Sequence, residues 1–287
     1  MDYKKDANTV ILLSATSDIG TALAKRYSAD GYNVIGTYRS LEGAEKLREI
    51  NMRLYFCDLD DTKSISDFIN DFKNTELEWE TFISCPSNPL PVKPFFKCDF
   101  EEWQKSVHTN AIEQLRVLHG LYPYRDKSPD KESNVVFFAT AGINSPAINI
   151  SAYTASKLFL LKMCEYLDAE NPDLNPFIVG PGWTRTKTHD LILNNLDSSD
   201  PRYNQTKEFL ASNGGTSMDD IYDCIQWLCS QGKKVVGGRN FSVVYDPWKL
   251  APKCLAQALI KDPDMYKVRR QGNMFNHLQN IKRKNVE

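Results

Sequence analysis

The chain has 287 residues, 41% hydrophobic and 25% charged, with a net charge of −2. This is the balance of a globular protein with a substantial core, and it gives no global electrostatic drive toward nucleic acid or an anionic membrane surface. No stretch approaches the roughly 20 apolar residues of a membrane span, the polar start MDYKKDANTV lacks the apolar run of a signal peptide, and seven scattered cysteines without a CxxC pair fit reduced thiols in a cytoplasmic protein.

In chain order, residues 9–14 (TVILLS) read as a buried strand and 17–31 as a helix stopped by Gly31. A second strand spans 32–38, a helix 41–50, a third strand 53–58, a helix 64–73 and a fourth strand 80–85. Residues 100–121 read as one long helix, 134–140 as a fifth strand, 151–168 as a helix, 175–180 as a sixth strand, 219–231 as a helix and 240–246 as a last strand. The strand runs are continuous rather than alternating, as when helices cover both faces. Strand–helix–strand repetition of this kind predicts an α/β, Rossmann-like doubly wound parallel sheet of about seven strands. Residues 1–248 read as one dinucleotide-binding catalytic domain and 249–287, basic near the end, as a helical extension. Residues 187–209 are polar and loop-rich, with the makings of a mobile lid.

In a doubly wound sheet the ligand crevice lies at the carboxyl ends of the strands. The first strand-to-helix turn, 14–20 (SATSDIG), offers a helix N-terminus to a diphosphate. Of the three glycines such turns normally carry, only Gly20 is present; Ser14 and Asp18 stand at the other two places, with Thr16, Ser17 and Ile19 completing the candidate contacts. Asp18 puts a carboxylate where a diphosphate would sit, which weakens anion binding unless the side chain turns outward. Arg39 ends the second strand, where an arginine accepts the 2′-phosphate of NADP and a carboxylate would hold the ribose of NAD. Asp58 and Leu59 follow the third strand; Asp58 either meets an adenine amino group or caps the next helix.

Tyr153 and Lys157 lie four residues apart on a helix and so share a face. A nearby ammonium favours the phenolate and makes the phenol a usable acid–base group; taken alone, the pair is also an ordinary polar stripe. Around it stand Thr140 at the end of the fifth strand, Asn110 inside the long helix, and 181–186 (PGWTRT) after the sixth strand. This arrangement resembles the short-chain dehydrogenase/reductase family over roughly residues 8–246, in its single-domain form. The resemblance implies that Tyr153 is the acid–base group, that Lys157 lowers its pKa and binds the nicotinamide ribose, that Thr140 stands for the usual serine orienting the substrate oxygen, and that Asn110 holds a water in a proton relay. It further implies a cofactor lined by Ser14, Thr16, Ser17, Asp18, Ile19, Arg39, Asp58, Leu59, Ser84, Pro181, Gly182, Thr184 and Thr186.

The chain departs from the family pattern at the two missing glycines, at 84–87 (SCPS) in place of asparagine–asparagine–alanine–glycine, and at 246–248 (DPW) near the last strand. The expected function is an NADP(H)-dependent carbonyl reductase or alcohol dehydrogenase, with NAD as the alternative cofactor. Two further readings stay open: a non-catalytic nucleotide sensor, and an NAD-dependent sugar epimerase or dehydratase. Arg185, Lys187 and His189 are placed to meet an anionic group such as that of a nucleotide sugar, or else form an exposed basic edge. His108, His119 and His277 show no metal-ligand spacing. The resemblance also implies a homodimer or homotetramer through 100–121 and 151–168.

Overall fold

Successive residues of a strand point to opposite faces, and here both faces are apolar. Val10, Leu12, Val34, Ile83, Val136, Phe177 and Val179 enter one core, whereas Ile11, Leu13, Ile35, Phe82, Val135, Phe137 and Ile178 enter the other. The computed structural model describes residues 7–129 and 131–269. Its strands are β1 (Thr9–Leu13), β2 (Asn33–Tyr38), β3 (Arg53–Phe56), β4 (Thr81–Ser84), β5 (Ser133–Phe138), β6 (Leu174–Gly180) and β7 (Asn240–Ser242). They form one seven-stranded sheet in the order β3-β2-β1-β4-β5-β6-β7, every neighbouring pair parallel.

The helices are α1 (Asp18–Ala29), α2 (Leu41–Glu45), α3 (Thr62–Lys73), α4 (Phe100–Val107), α5 (Glu113–Leu121), α6 (Ser151–Glu170), α7 (Lys187–Asn195), α8 (Pro201–Ala211), α9 (Met218–Gln231), α10 (Lys233–Val236) and α11 (Pro252–Lys261). Side chains of α1, α9, α10 and α11 fill the first core; those of α3, α5 and α6 fill the second. The sheet is therefore doubly wound. Its order reverses beside β1, so the crevice opens where β1 and β4 end.

Four expectations are corrected. The helix foreseen over 41–50 is only Leu41–Glu45; short-range turns then carry Leu47 and Ile50 into the core within the brief link to β3. The long helix over 100–121 is broken by a π turn, His108–Ile112, which centres on Asn110. The last strand stops at Ser242, because the Asp246 carboxylate accepts the Ser242 N–H at 2.7 Å and turns the chain away. The segment 187–209 is two helices rather than loop-rich: Asp200 accepts from the Arg202 N–H at 2.8 Å, and Pro201 fills the first helical position of α8.

The described part of 249–287 packs on the domain. Leu255 and Leu259 of α11 are buried in the first core. Arg239, 3% exposed, donates to the carbonyls of Leu259, Asp262 and Met265, satisfying acceptors at and beyond the end of α11. The basic end of the chain and His277 lie outside the described residues.

Candidate functional site

The crevice begins at the β1–α1 turn. Ser14 adopts a left-handed backbone, φ 58°, the conformation a glycine takes without cost. Its N–H donates to Thr37 Oγ1 at 2.8 Å and its carbonyl accepts from the Ser17 N–H at 3.0 Å, so the tight turn forms despite the side chain. Ser17 caps α1, its hydroxyl accepting from the Gly20 N–H at 3.0 Å. Gly20 is required: a Cβ there would lie 2.6 Å from the Ser14 carbonyl oxygen. Asp18 turns across the crevice, and its carboxylate accepts the Lys187 N–H at 2.7 Å. It thereby supplies α7 with an N-terminal cap that Thr186, at the cap position, does not give.

Arg39 at the end of β2 is exposed and, among the described residues, makes no ion pair; its charge acts on Asp60. Asp58 accepts the Asp60 N–H at 3.0 Å, and Leu59 is buried beside it. Ser84 is a correction. It is wholly buried and donates its hydroxyl to Gln114 Oε1 at 2.7 Å, so it faces α5 rather than the crevice. The following residues, 85–88, line the crevice instead.

Three consecutive residues of that segment are held from the opposite side. Lys157, 0% exposed, donates its Nζ to the Pro86 carbonyl at 3.0 Å. The Tyr153 hydroxyl lies 2.7 Å from Ser87 Oγ. Asn110, also 0% exposed, accepts the Asn88 N–H at 3.1 Å and donates to the Asn88 carbonyl at 2.9 Å, with a further bond to the Ser106 carbonyl at 3.0 Å. The π turn aims Asn110 at this strand end, and its amide bonds the Asn88 backbone on both sides. Thr140, two residues past the end of β5, lines the same cavity as Tyr153.

The electrostatics differ from the expectation. Burial pushes the Tyr153 phenol above its ordinary value; the Ser87 hydrogen bond and the Arg202 charge pull it the other way. Lys157 Nζ lies 5.5 Å from the Tyr153 ring centroid with its hydrogen bond on Pro86. Burial brings the Lys157 ammonium itself down to about 8. Ser87 and Arg202 are the residues sequence reasoning missed. The position of Ser87 at the carboxyl end of a central strand was its only available signal.

After β6, Gly182 sits at φ 74°, and Thr184 is buried with its hydroxyl donating to the Pro181 carbonyl at 3.3 Å. Pro181, Gly182, Thr184 and Thr186 all line the cavity. Of the basic residues expected to greet an anion, Arg185 is exposed and donates to the Leu210 and Ser212 carbonyls. His189 stacks on Trp183 at 5.4 Å between centroids and bonds the Thr184 carbonyl at 2.9 Å. Lys187 stands at the cavity edge.

One cavity of about 1550 Å³ joins the β1–α1 turn, Arg39, the β4 end, Tyr153 and the α7–α8 segment. Ordinary ligand pockets are about 300–1,000 Å³, so this volume suits a dinucleotide together with a substrate. The donor set also fits: a helix N-terminus behind a tight turn for a diphosphate, and at the far end a guanidinium that makes no ion pair among the described residues. Among the described residues no cluster of metal-ligating side chains is present.

A family model described as enoyl-(acyl carrier protein) reductase matches residues 14–244. Serine 3-dehydrogenase of Agrobacterium fabrum is 25% identical over 239 residues, spanning 80% of this chain and 90% of the relative. Among solved structures, a short-chain dehydrogenase/reductase from Saccharomyces cerevisiae superposes with a TM-score of 0.76 at 19% identity, over 88% of this chain and 99% of its own. An actinorhodin polyketide ketoreductase variant crystallised with NADPH gives 0.74 at 18% identity, over 84% and 97%. The turn, the strand order and the match over most of the chain agree: the protein belongs to the short-chain dehydrogenase/reductase family of NAD(P)-dependent oxidoreductases.

Proposed function

We propose that the protein is an NADP(H)-dependent carbonyl reductase or alcohol dehydrogenase in which Tyr153 exchanges the proton. The observation that carries this reading is the Tyr153 hydroxyl, 2.7 Å from Ser87 Oγ, on the wall of a cavity that extends to Arg39. The nicotinamide supplies hydride chemistry when bound. A phenol whose pKa is raised by burial keeps its proton at neutral pH, so Tyr153 is set to donate to a carbonyl oxygen. Ser87 fixes the direction of the phenolic O–H, and Thr140 offers a second hydroxyl to the substrate oxygen. Lys157 and Asn110 are positioning residues for the 86–88 segment, and we assign Lys157 the nicotinamide ribose as well. Ser14, Thr16, Ser17, Ile19, Asp58, Leu59, Pro181, Gly182, Thr184 and Thr186 would surround the remainder of the cofactor. The missing turn glycines motivate the non-catalytic reading, and the Asp18 carboxylate at one of those places is turned onto the Lys187 N–H.

A cytoplasmic setting and a homodimer or homotetramer belong to the same proposal. All seven cysteines are free thiols, which suits a reducing compartment. Leu158, Phe159 and Tyr166 on α6 and Phe100 on α4 are exposed, which suits a helix-to-helix contact between copies.

Tyr153→Phe is expected to lower kcat for carbonyl reduction by about 10³-fold while the NADPH Kd, read by tryptophan quenching, changes little; retained turnover would show that the proton comes from elsewhere. Arg39→Asp is expected to weaken NADPH by about 30-fold and narrow its advantage over NADH, and an unaltered NADPH/NADH ratio would remove Arg39 as the discriminator. Lys157 carries a pH signature. Its folded pKa of about 8 lies below its ordinary 10.5, so between those values the unfolded chain holds a proton the folded chain has released. Stability from this group therefore rises with pH across that window, and below it the buried ammonium destabilises the fold. Lys157→Met should raise stability at pH 7 by about 2 kcal/mol, after allowing for the bond to Pro86, and the gain should fade toward pH 10.5 in urea denaturation. A variant less stable than the wild type at pH 7 would contradict this.

A further inference from the structure

Arg202 stands in the first turn of α8, half-buried, on the wall of the cavity that contains Tyr153. Among the described residues its guanidinium makes no ion pair, and the hydrogen bond it does make is a long one, 3.5 Å from Nη1 to the Ile148 carbonyl. Asp200, the acidic neighbour whose charge acts on it, has its carboxylate oxygens engaged by the Arg202 N–H and by Asn149 Nδ2, each at 2.8 Å. Burial pulls the guanidinium below its ordinary pKa. An arginine that gives up water usually gains a carboxylate or phosphate in exchange; this one does not gain it from the chain.

A second observation points the same way. Thr206 lies one turn further along α8, on the same face. It is 0% exposed, it lines the same cavity, and its hydroxyl has no hydrogen-bond partner. In the same region Val92 and Ile150 pack with Tyr153 into an apolar cluster, with Leu90 and Leu196 packed against it. The cavity that holds the phenol is thus lined both by apolar side chains and by a guanidinium and an unused hydroxyl. Of the other cations of this region, Arg185 is spent on the Leu210 and Ser212 carbonyls, whereas Lys187 is exposed and only its backbone N–H meets Asp18.

We propose that Arg202, assisted by Thr206, recognises an oxoanion on the substrate, so that the preferred substrates are small carbonyl compounds bearing a carboxylate, sulfonate or phosphate. This rests on the reading of Tyr153 as proton donor to the carbonyl. The guanidinium presents a planar pair of N–H donors suited to two oxygens at once, and anchoring the anion there sets the carbonyl against Tyr153.

The test uses the full chain and three matched pairs: acetoacetate with methyl acetoacetate, acetonesulfonate with acetone, and dihydroxyacetone phosphate with dihydroxyacetone. Binding is measured by titration calorimetry in the presence of NADP⁺, and turnover with NADPH. The wild type is expected to bind at least one anion about 10-fold or more tighter than its neutral partner. Arg202→Gln should collapse that anion-over-neutral ratio by about 30-fold or more in kcat/KM, and Arg202→Lys should restore part of it. Thr206→Val should reduce the ratio by a smaller factor. Equal binding of anion and neutral partner, no binding of any anion in the panel, or a ratio unmoved by Arg202→Gln would overturn the proposal. Anion binding lost in Arg202→Gln but without turnover would sink the reductase reading and leave the anion site standing; turnover of neutral carbonyls alone would do the reverse.

Discussion

The site depends on how the backbone leaving β4 is held. Its three residues after Cys85 are gripped in succession by buried side chains of other elements: the Pro86 carbonyl by Lys157, the Ser87 hydroxyl by Tyr153, and the Asn88 N–H and carbonyl by Asn110. A chain with Pro86 in this segment has one fewer donor than the family pattern offers, and the three contacts instead fix the segment through its carbonyls and the serine hydroxyl. Burying an ammonium is costly, and Lys157 meets that cost only in part through one carbonyl, which is why its proton is loosely held. The same burial raises the Tyr153 phenol. Desolvation thus moves the pKa values of two groups on one helix face in opposite directions, Lys157 down and Tyr153 up, with the hydroxyl of Ser87 setting which way the phenol points.

Much of this was legible from the sequence, for physical reasons that differ by residue. Tyr153 and Lys157 were found because helical spacing places them on one face and both are held there by α6. Arg39 was found because the end of the second strand is a fixed point of a doubly wound sheet. The parallel sheet itself followed from continuous apolar runs, since both faces of each strand are covered. Ser84 was misplaced by one step of the strand alternation: its side chain points to Gln114, and the crevice is lined from the next residue on. Ser87 lies in irregular backbone, where no period carries information, and its role appears only when α6 is brought beside β4. Arg202 was hidden by composition. The polar stretch 187–209 looks like loop, yet the Asp200–Pro201 pair is a helix start that composition alone does not weigh.

The departures at the first turn are also resolved by geometry. Ser14 takes the left-handed backbone that a glycine would take, held by Thr37 and by the Ser17 N–H. Asp18 does not leave its carboxylate facing a diphosphate; it caps α7 across the crevice. The β1–α1 turn and the α7–α8 segment are therefore tied at one point, and the residues that would hold the cofactor share a contact with the residues that border the substrate space.

Since the central claim is that burial raises Tyr153 while Ser87 restrains the rise, the most direct measurement is the titration of that single phenol. With ¹³Cζ-labelled tyrosine, the NMR resonance of Tyr153, assigned by its loss in Tyr153→Phe, should titrate above the ordinary value of 10 in the wild type and higher still in Ser87→Ala. A phenol that titrates at or below 10 in the wild type, or that is unmoved by Ser87→Ala, would contradict it.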